Sequence, residues 1–187
     1  MEKNQKILIG ALLVVSVAVA LFFALQPPSF ESEYARMSRV WKEQGLGEYL
    51  HASDKLFSLS EPEIVSIKNK IDSFKAGTRN KAAASLAGAY VLLLDSAELH
   101  SAITTTRESL SNSDKPLCDN LPTYKELQEK LSQLRDKRNA YIKACNSFVA
   151  DYPAEAKSIS LQKTTPSKNE SLEDLNEALA LAEEVCK

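Results

Sequence analysis

The hydrophobic pattern divides the chain into one unbroken apolar block and a long stretch of helical periodicity. Ile7 to Leu25 runs nineteen residues without a charge or a proline. At about 1.5 Å per residue it would reach roughly 28 Å, close to the ~30 Å hydrocarbon core of a bilayer. It predicts a single transmembrane anchor over residues 7–25, with a cytoplasmic tail of residues 1–6 and a linker of residues 26–29. Lys3 and Lys6 precede the block, and the first charges after it are Glu31 and Glu33. Positive charge stays on the cytoplasmic side, so the rest of the chain is expected outside the membrane. Two other readings of the block fit less well. A cleaved signal would end in small residues, but Phe22, Phe23 and Leu25 close this one. The block resembles a pilin-type assembly helix in its short basic leader. It lacks the glutamate those segments carry, and Pro27-Pro28 stops the helix at once.

Residues 30–187 change to an amphipathic pattern that predicts an all-α bundle of about five helices. Tyr34, Met37, Val40 and Trp41 form one stripe from Phe30 to about Gln44, ended by Gly45-Leu46-Gly47. A short segment, Glu48 to about Ser58, comes next. Ser60-Glu61-Pro62-Glu63 reads as a capping box opening a helix that carries Ile64, Ile67, Ile71 and Phe74 and stops at Gly77. Thr78 is the expected cap of the next helix, to about Ser109. Its middle, Ala82 to Leu94, is apolar nearly all round and so marks the centre of the bundle. Flanking charges leave only about 20 Å of apolar rise there, too short for a second span. Ala83, Ala87 and Gly88 would admit a close neighbouring backbone.

After a polar loop, Pro122 is expected to open the longest helix. Tyr124, Leu127, Leu131, Leu134, Arg138, Tyr141, Cys145, Phe148 and Tyr152 alternate spacings of three and four, a heptad stripe interrupted by Arg138. The stripe suits a bundle helix or a coiled coil between molecules. Arg138 on it requires a carboxylate partner or a wet gap. Tyr152-Pro153 ends the helix, residues 154–168 read as a linker, and Ser171 with Asp174 reads as the capped start of a last stripe, Leu172 to Cys186.

Composition narrows the function classes. The five glycines are too few for the turns of a sheet-rich fold. Without Glu2, Lys3 and Lys6, 21 of the 23 basic and 24 of the 25 acidic residues remain, a net charge of −3. No basic stripe interleaved with aromatics is present, so nucleic acid is not an expected partner. Leu86, Ala87 and Tyr90 resemble a fragment of a tetratricopeptide repeat, but Leu99 stands where its next alanine belongs, and no ~34-residue recurrence is present.

Candidate chemistry is sparse. Of the two histidines, His51 lies in the short amphipathic segment, and His100 does not share with Asp95 and Glu98 the helical spacing that would aim all three at one metal. No phosphate loop, cofactor motif or catalytic constellation is present, and an enzyme is not expected. The three cysteines, Cys118, Cys145 and Cys186, would face an oxidising compartment. Along a continuous helix from Pro122, Cys145 lies roughly 35 Å from the end nearest Cys118, far beyond the ~7 Å a bridge allows. Cys118–Cys186 and Cys145–Cys186 remain, with the first slightly favoured because it ties the carboxyl end to the loop before the long helix. The expectation is a membrane-anchored structural or interaction protein, with the bilayer and a protein partner or a second copy as its partners. The alternative is a ligand-binding or sensor domain acting through a membrane partner, which a cavity beside Arg138, Tyr90 or Trp41 would favour.

Overall fold

The computed structural model describes residues 26–165 and 170–186. The tail and anchor expected at residues 1–25 lie outside the described residues. Among those described, every regular element is helical: α1 (Phe30–Lys42), α2 (Glu61–Gly77), α3 (Lys81–Ser111), α4 (Leu117–Asp151), α5 (Pro153–Ser158) and α6 (Glu170–Val185), with two single turns, Leu50–Ala52 and Leu56–Ser58, between α1 and α2.

Local chemistry sets the boundaries of these helices. The Ser29 hydroxyl accepts from the Ser32 amide at 3.2 Å and opens α1. Its far end closes with Gly45 N–H on the Lys42 carbonyl and Leu46 N–H on the Trp41 carbonyl. Gly45 holds φ +72°, which costs a glycine little, and Leu46 is buried beside the turn. The Glu63 carboxylate bonds the Ser60 amide at 2.9 Å at the start of α2. The cap of α3 is Asn80, not Thr78: Asn80 Oδ1 accepts from the Ala83 amide at 2.9 Å. The Thr78 hydroxyl instead accepts from the Asn80 amide, holding the connecting turn. The helix α4 starts at Leu117, directly after Pro116, so Pro122 sits inside it. The linker expected over residues 154–168 is structured in its first part, and residues 166–168 lie outside the described residues. Pro153 opens α5, Ala156, Ile159 and Leu161 are buried, and Leu161 N–H returns to the Ala156 carbonyl at 2.9 Å. This is the same closure as at Gly45, with Ser160 taking the left-handed position at φ +57°.

The two longest helices, α3 and α4, run side by side in opposite directions, and the rest packs around them in two hydrophobic clusters. The larger joins Phe30, Met37 and Trp41 of α1, the four apolar residues of α2, the first half of α3, and Cys145 and Phe148 of α4. The smaller joins Ile103 of α3, Leu127, Leu131 and Leu134 of α4, and Leu172 of α6. Most of the heptad stripe of α4 is thus packed within the chain; Tyr124 and Arg138 belong to neither cluster. By length and composition α3 would suit a membrane span, but its apolar residues face other helices of this bundle. Gly88 meets only the Lys75 side chain, with Cε 3.6 Å from an ideal Cβ, so no backbone makes a close approach there. Ala83 and Ala87 are both fully enclosed.

Candidate functional site

Three features carry polar or exposed chemistry. The first is an ion-pair zip across α2, α3 and α4. Asp95 receives Lys68 at 2.6 Å and Lys137 at 2.7 Å, and Lys68 also reaches Glu98 at 3.1 Å. Burial alone would raise the Asp95 carboxyl, but the bonds from Lys137 and Lys68 outweigh it and hold it below its ordinary range. Asp95 and Glu98 are therefore occupied with lysines. His100 packs its ring edge-on against Phe57, centroids 5.3 Å apart. No group of three His, Cys, Asp or Glu side chains suited to a metal occurs among the described residues.

The second feature is the end of the bundle where α3 meets α4. Cys118 and Cys186 are joined in a disulfide with Cα atoms 5.5 Å apart, while Cys145 is a buried free thiol. Because α4 begins at Leu117, Cys118 lies on the same helix as Cys145. The bridge lashes the end of α6 to the first turn of α4. Lys125–Glu183 at 2.6 Å and Gln128–Asn176 at 2.7 Å continue the seam. Beside it lies an apolar cleft of about 420 Å³. Its outer lip is Leu117, Leu181 and Val185, exposed to 47%, 65% and 77%.

The third feature is a cleft of about 400 Å³ where the two single turns cross the α3–α4 seam. Phe57, Leu93 and Ile142 supply its apolar wall, and Arg135, Arg138, Asn139 and His51 its polar one. His51 Nδ1 lies 2.9 Å from the Tyr90 hydroxyl. Burial pushes the His51 imidazole below its usual value and the phenols of Tyr34, Tyr90 and Tyr141 well above theirs. This inner polar group is therefore neutral near pH 7. The Arg138 guanidinium stands over the Phe57 ring, 5.8 Å from its centroid. The interruption of the heptad stripe thus opens onto a gap, and no carboxylate lies within ion-pair distance of Arg138 among the described residues. Tyr90 and Trp41 do not line this cleft. Both are fully buried and meet edge to face at 5.4 Å.

Sequence reasoning singled out Arg138 but could not assemble the cleft, whose walls come from both single turns, α3, α4 and Thr164. A charge standing on an apolar stripe is the one signal of it that periodicity carries. No family model matches this chain, and no match to a curated protein or to a solved structure is found.

Proposed function

We propose that this is a single-pass membrane protein that holds its helical bundle outside the bilayer and acts by binding a protein partner. The observation that supports it best is how the chain after the apolar block is fastened. The Asn80 side-chain Nδ2 donates to the Pro28 carbonyl at 2.9 Å, Ser29 caps α1, and Phe30 packs on Phe148 at 6.0 Å. A domain on a slack tether would need none of these contacts. Here the exit residues belong to the domain, so an anchor would set its orientation. From Asn80, α3 projects about 46 Å to its other end. The bridged tip, with Leu117, Leu181 and Val185 outward, would stand at that height above the lipid. A disulfide at the tip suits an oxidising compartment.

Two measurements test this reading. A membrane-impermeant maleimide, applied to intact cells after external reduction and denaturation, is expected to label the cysteines; absence of labelling rejects the orientation. A photo-crosslinking residue at Leu181 should give one discrete protein adduct in the native membrane, and the same residue at the exposed Lys157 should not. Equal or absent adducts at both positions reject the tip as the docking surface.

A second reading, a ligand-binding domain acting through a membrane partner, is favoured by the cleft beside Arg138.

A further inference from the structure

The charge around that cleft takes the second reading a step further. We propose, resting on that reading, that the cleft binds a small organic anion with an apolar body. Arg138 and Arg135 hold the anionic group, and Phe57, Leu93 and Ile142 cover the body.

The charge balance of two neighbouring crevices separates them in kind. A crevice of about 340 Å³ between α2, α3 and α4 contains Lys68 and Lys137, but Asp95, Glu98 and Glu61 line it too. Its cations are neutralised from within, and it has no need of a ligand. The cleft at Arg138 holds two arginines beside the neutral His51, with no aspartate or glutamate in its lining. Arg135 meets its chain neighbour Asp136 at 3.2 Å and donates to the Ser132 hydroxyl at 3.4 Å, both at the exposed surface of α4. Such exposed contacts are worth little and yield readily to a better partner. Arg138 has the Phe57 face and no carboxylate. A guanidinium stacked near an aromatic ring keeps its planar fork of N–H donors, which matches a carboxylate or phosphate.

Size and rigidity agree with a small ligand. About 400 Å³ falls within the range of small-molecule sites. The rim at Thr164 is pinned by Asn146, whose amide donates to the Thr164 carbonyl at 2.9 Å and accepts from its N–H at 3.0 Å. His51 is tied to Tyr90 on the other side. Walls already held in place lose little freedom when a ligand arrives. The same anionic chemistry occurs in free organic acids and in acidic lipid headgroups.

The test uses the full chain in nanodiscs of a zwitterionic phospholipid, with empty discs as the blank. Calorimetric titration with naphthoate, an apolar ring bearing one carboxylate, is expected to give saturable binding. Naphthylmethanol, its uncharged counterpart, should bind at least about ten-fold more weakly. Arg138→Gln should weaken naphthoate by about ten-fold, Arg138→Lys by less, and Lys157→Gln not at all. Discs containing an acidic phospholipid separate the sources: competition with naphthoate assigns the site to a headgroup, and unchanged binding assigns it to a free acid. If both probes bind equally and Arg138→Gln changes neither, the anion assignment is wrong while ligand binding stands. If neither probe binds, both fall. Circular dichroism of each variant establishes that it is folded.

Discussion

Cutting the Cys118–Cys186 bridge by Cys186→Ser is expected to release α6 before the rest of the fold. The bridge spans a sequence separation of 68 residues. Closing a loop of that size removes about 4 kcal/mol of chain entropy from the unfolded state in the simplest treatment. What remains to hold α6 is slight. Leu172, Leu179 and Ala182 are its buried residues, and two buried leucines contribute about 3–6 kcal/mol. Ordering the sixteen residues of α6 costs about 1 kcal/mol or more each, and the helix's own backbone bonds offset that only in part, since an isolated helix of this length is marginal in water. Without the cross-link, the helix is therefore expected to detach at low denaturant. Trp41 is fully buried in the larger cluster, to which α6 contributes nothing, so its emission reports on the other part of the fold. In urea titrations of residues 26–187, helical dichroism and Trp41 emission should coincide for the bridged protein. In Cys186→Ser the dichroism should fall first, by about one helix of this size, and the Trp41 midpoint should move by less than the full bridge energy. Coincident transitions with an unshifted midpoint in the variant would refute the two-cluster account.

Single side chains give further expected outcomes. Phe148→Ala empties a fully buried position against Phe30 and Tyr152, and should lower stability by about 3–5 kcal/mol by denaturant midpoint. Asp95→Asn leaves Lys68 and Lys137 without their shared carboxylate and should cost about 1–2 kcal/mol, given the partial exposure of both lysines. Because the folded Asp95 pKa lies below its unfolded value, its contribution is full above the ordinary carboxylate range and is lost as pH falls through the folded pKa. The wild-type and Asp95→Asn stability curves should therefore converge in strong acid. Gly45→Ala meets no atom within 4 Å, yet φ +72° disfavours any side chain; a loss of about 1 kcal/mol separates backbone strain from a steric clash, which would cost more.

Helical class, the order of the main helices and most core positions could be read from periodicity alone. Ile64, Ile67, Ile71 and Phe74 are buried as their spacing requires, and the apolar surround of α3 is the mark of its central place. The capping glutamate at Glu63 and the glycine stop at Gly45 are local chemistry, settled within a few residues. Closures made by less typical residues escape a reading of that kind. Ser160 takes the position usually held by glycine, and so α5 is hidden inside an apparent linker. Pro122 looks like a helix start because proline favours the first turn, but the helix has already begun at Leu117.

The amino-acid order also limits the cysteines to two pairings, since the rise of a helix separates Cys118 from Cys145. The choice between those two needs the packing of α6. Both Cys145 and Cys186 lie on apolar stripes, and only the antiparallel seating of α6 on the first half of α4 carries Cys186 to Cys118 and leaves Cys145 in the other cluster. The cleft at Arg138 depends on tertiary structure in the same way. A periodic pattern records which face of a helix meets protein, because burial repeats with the helical turn. It does not record which distant segment supplies the opposing wall, because that is decided by how all the faces fit together at once.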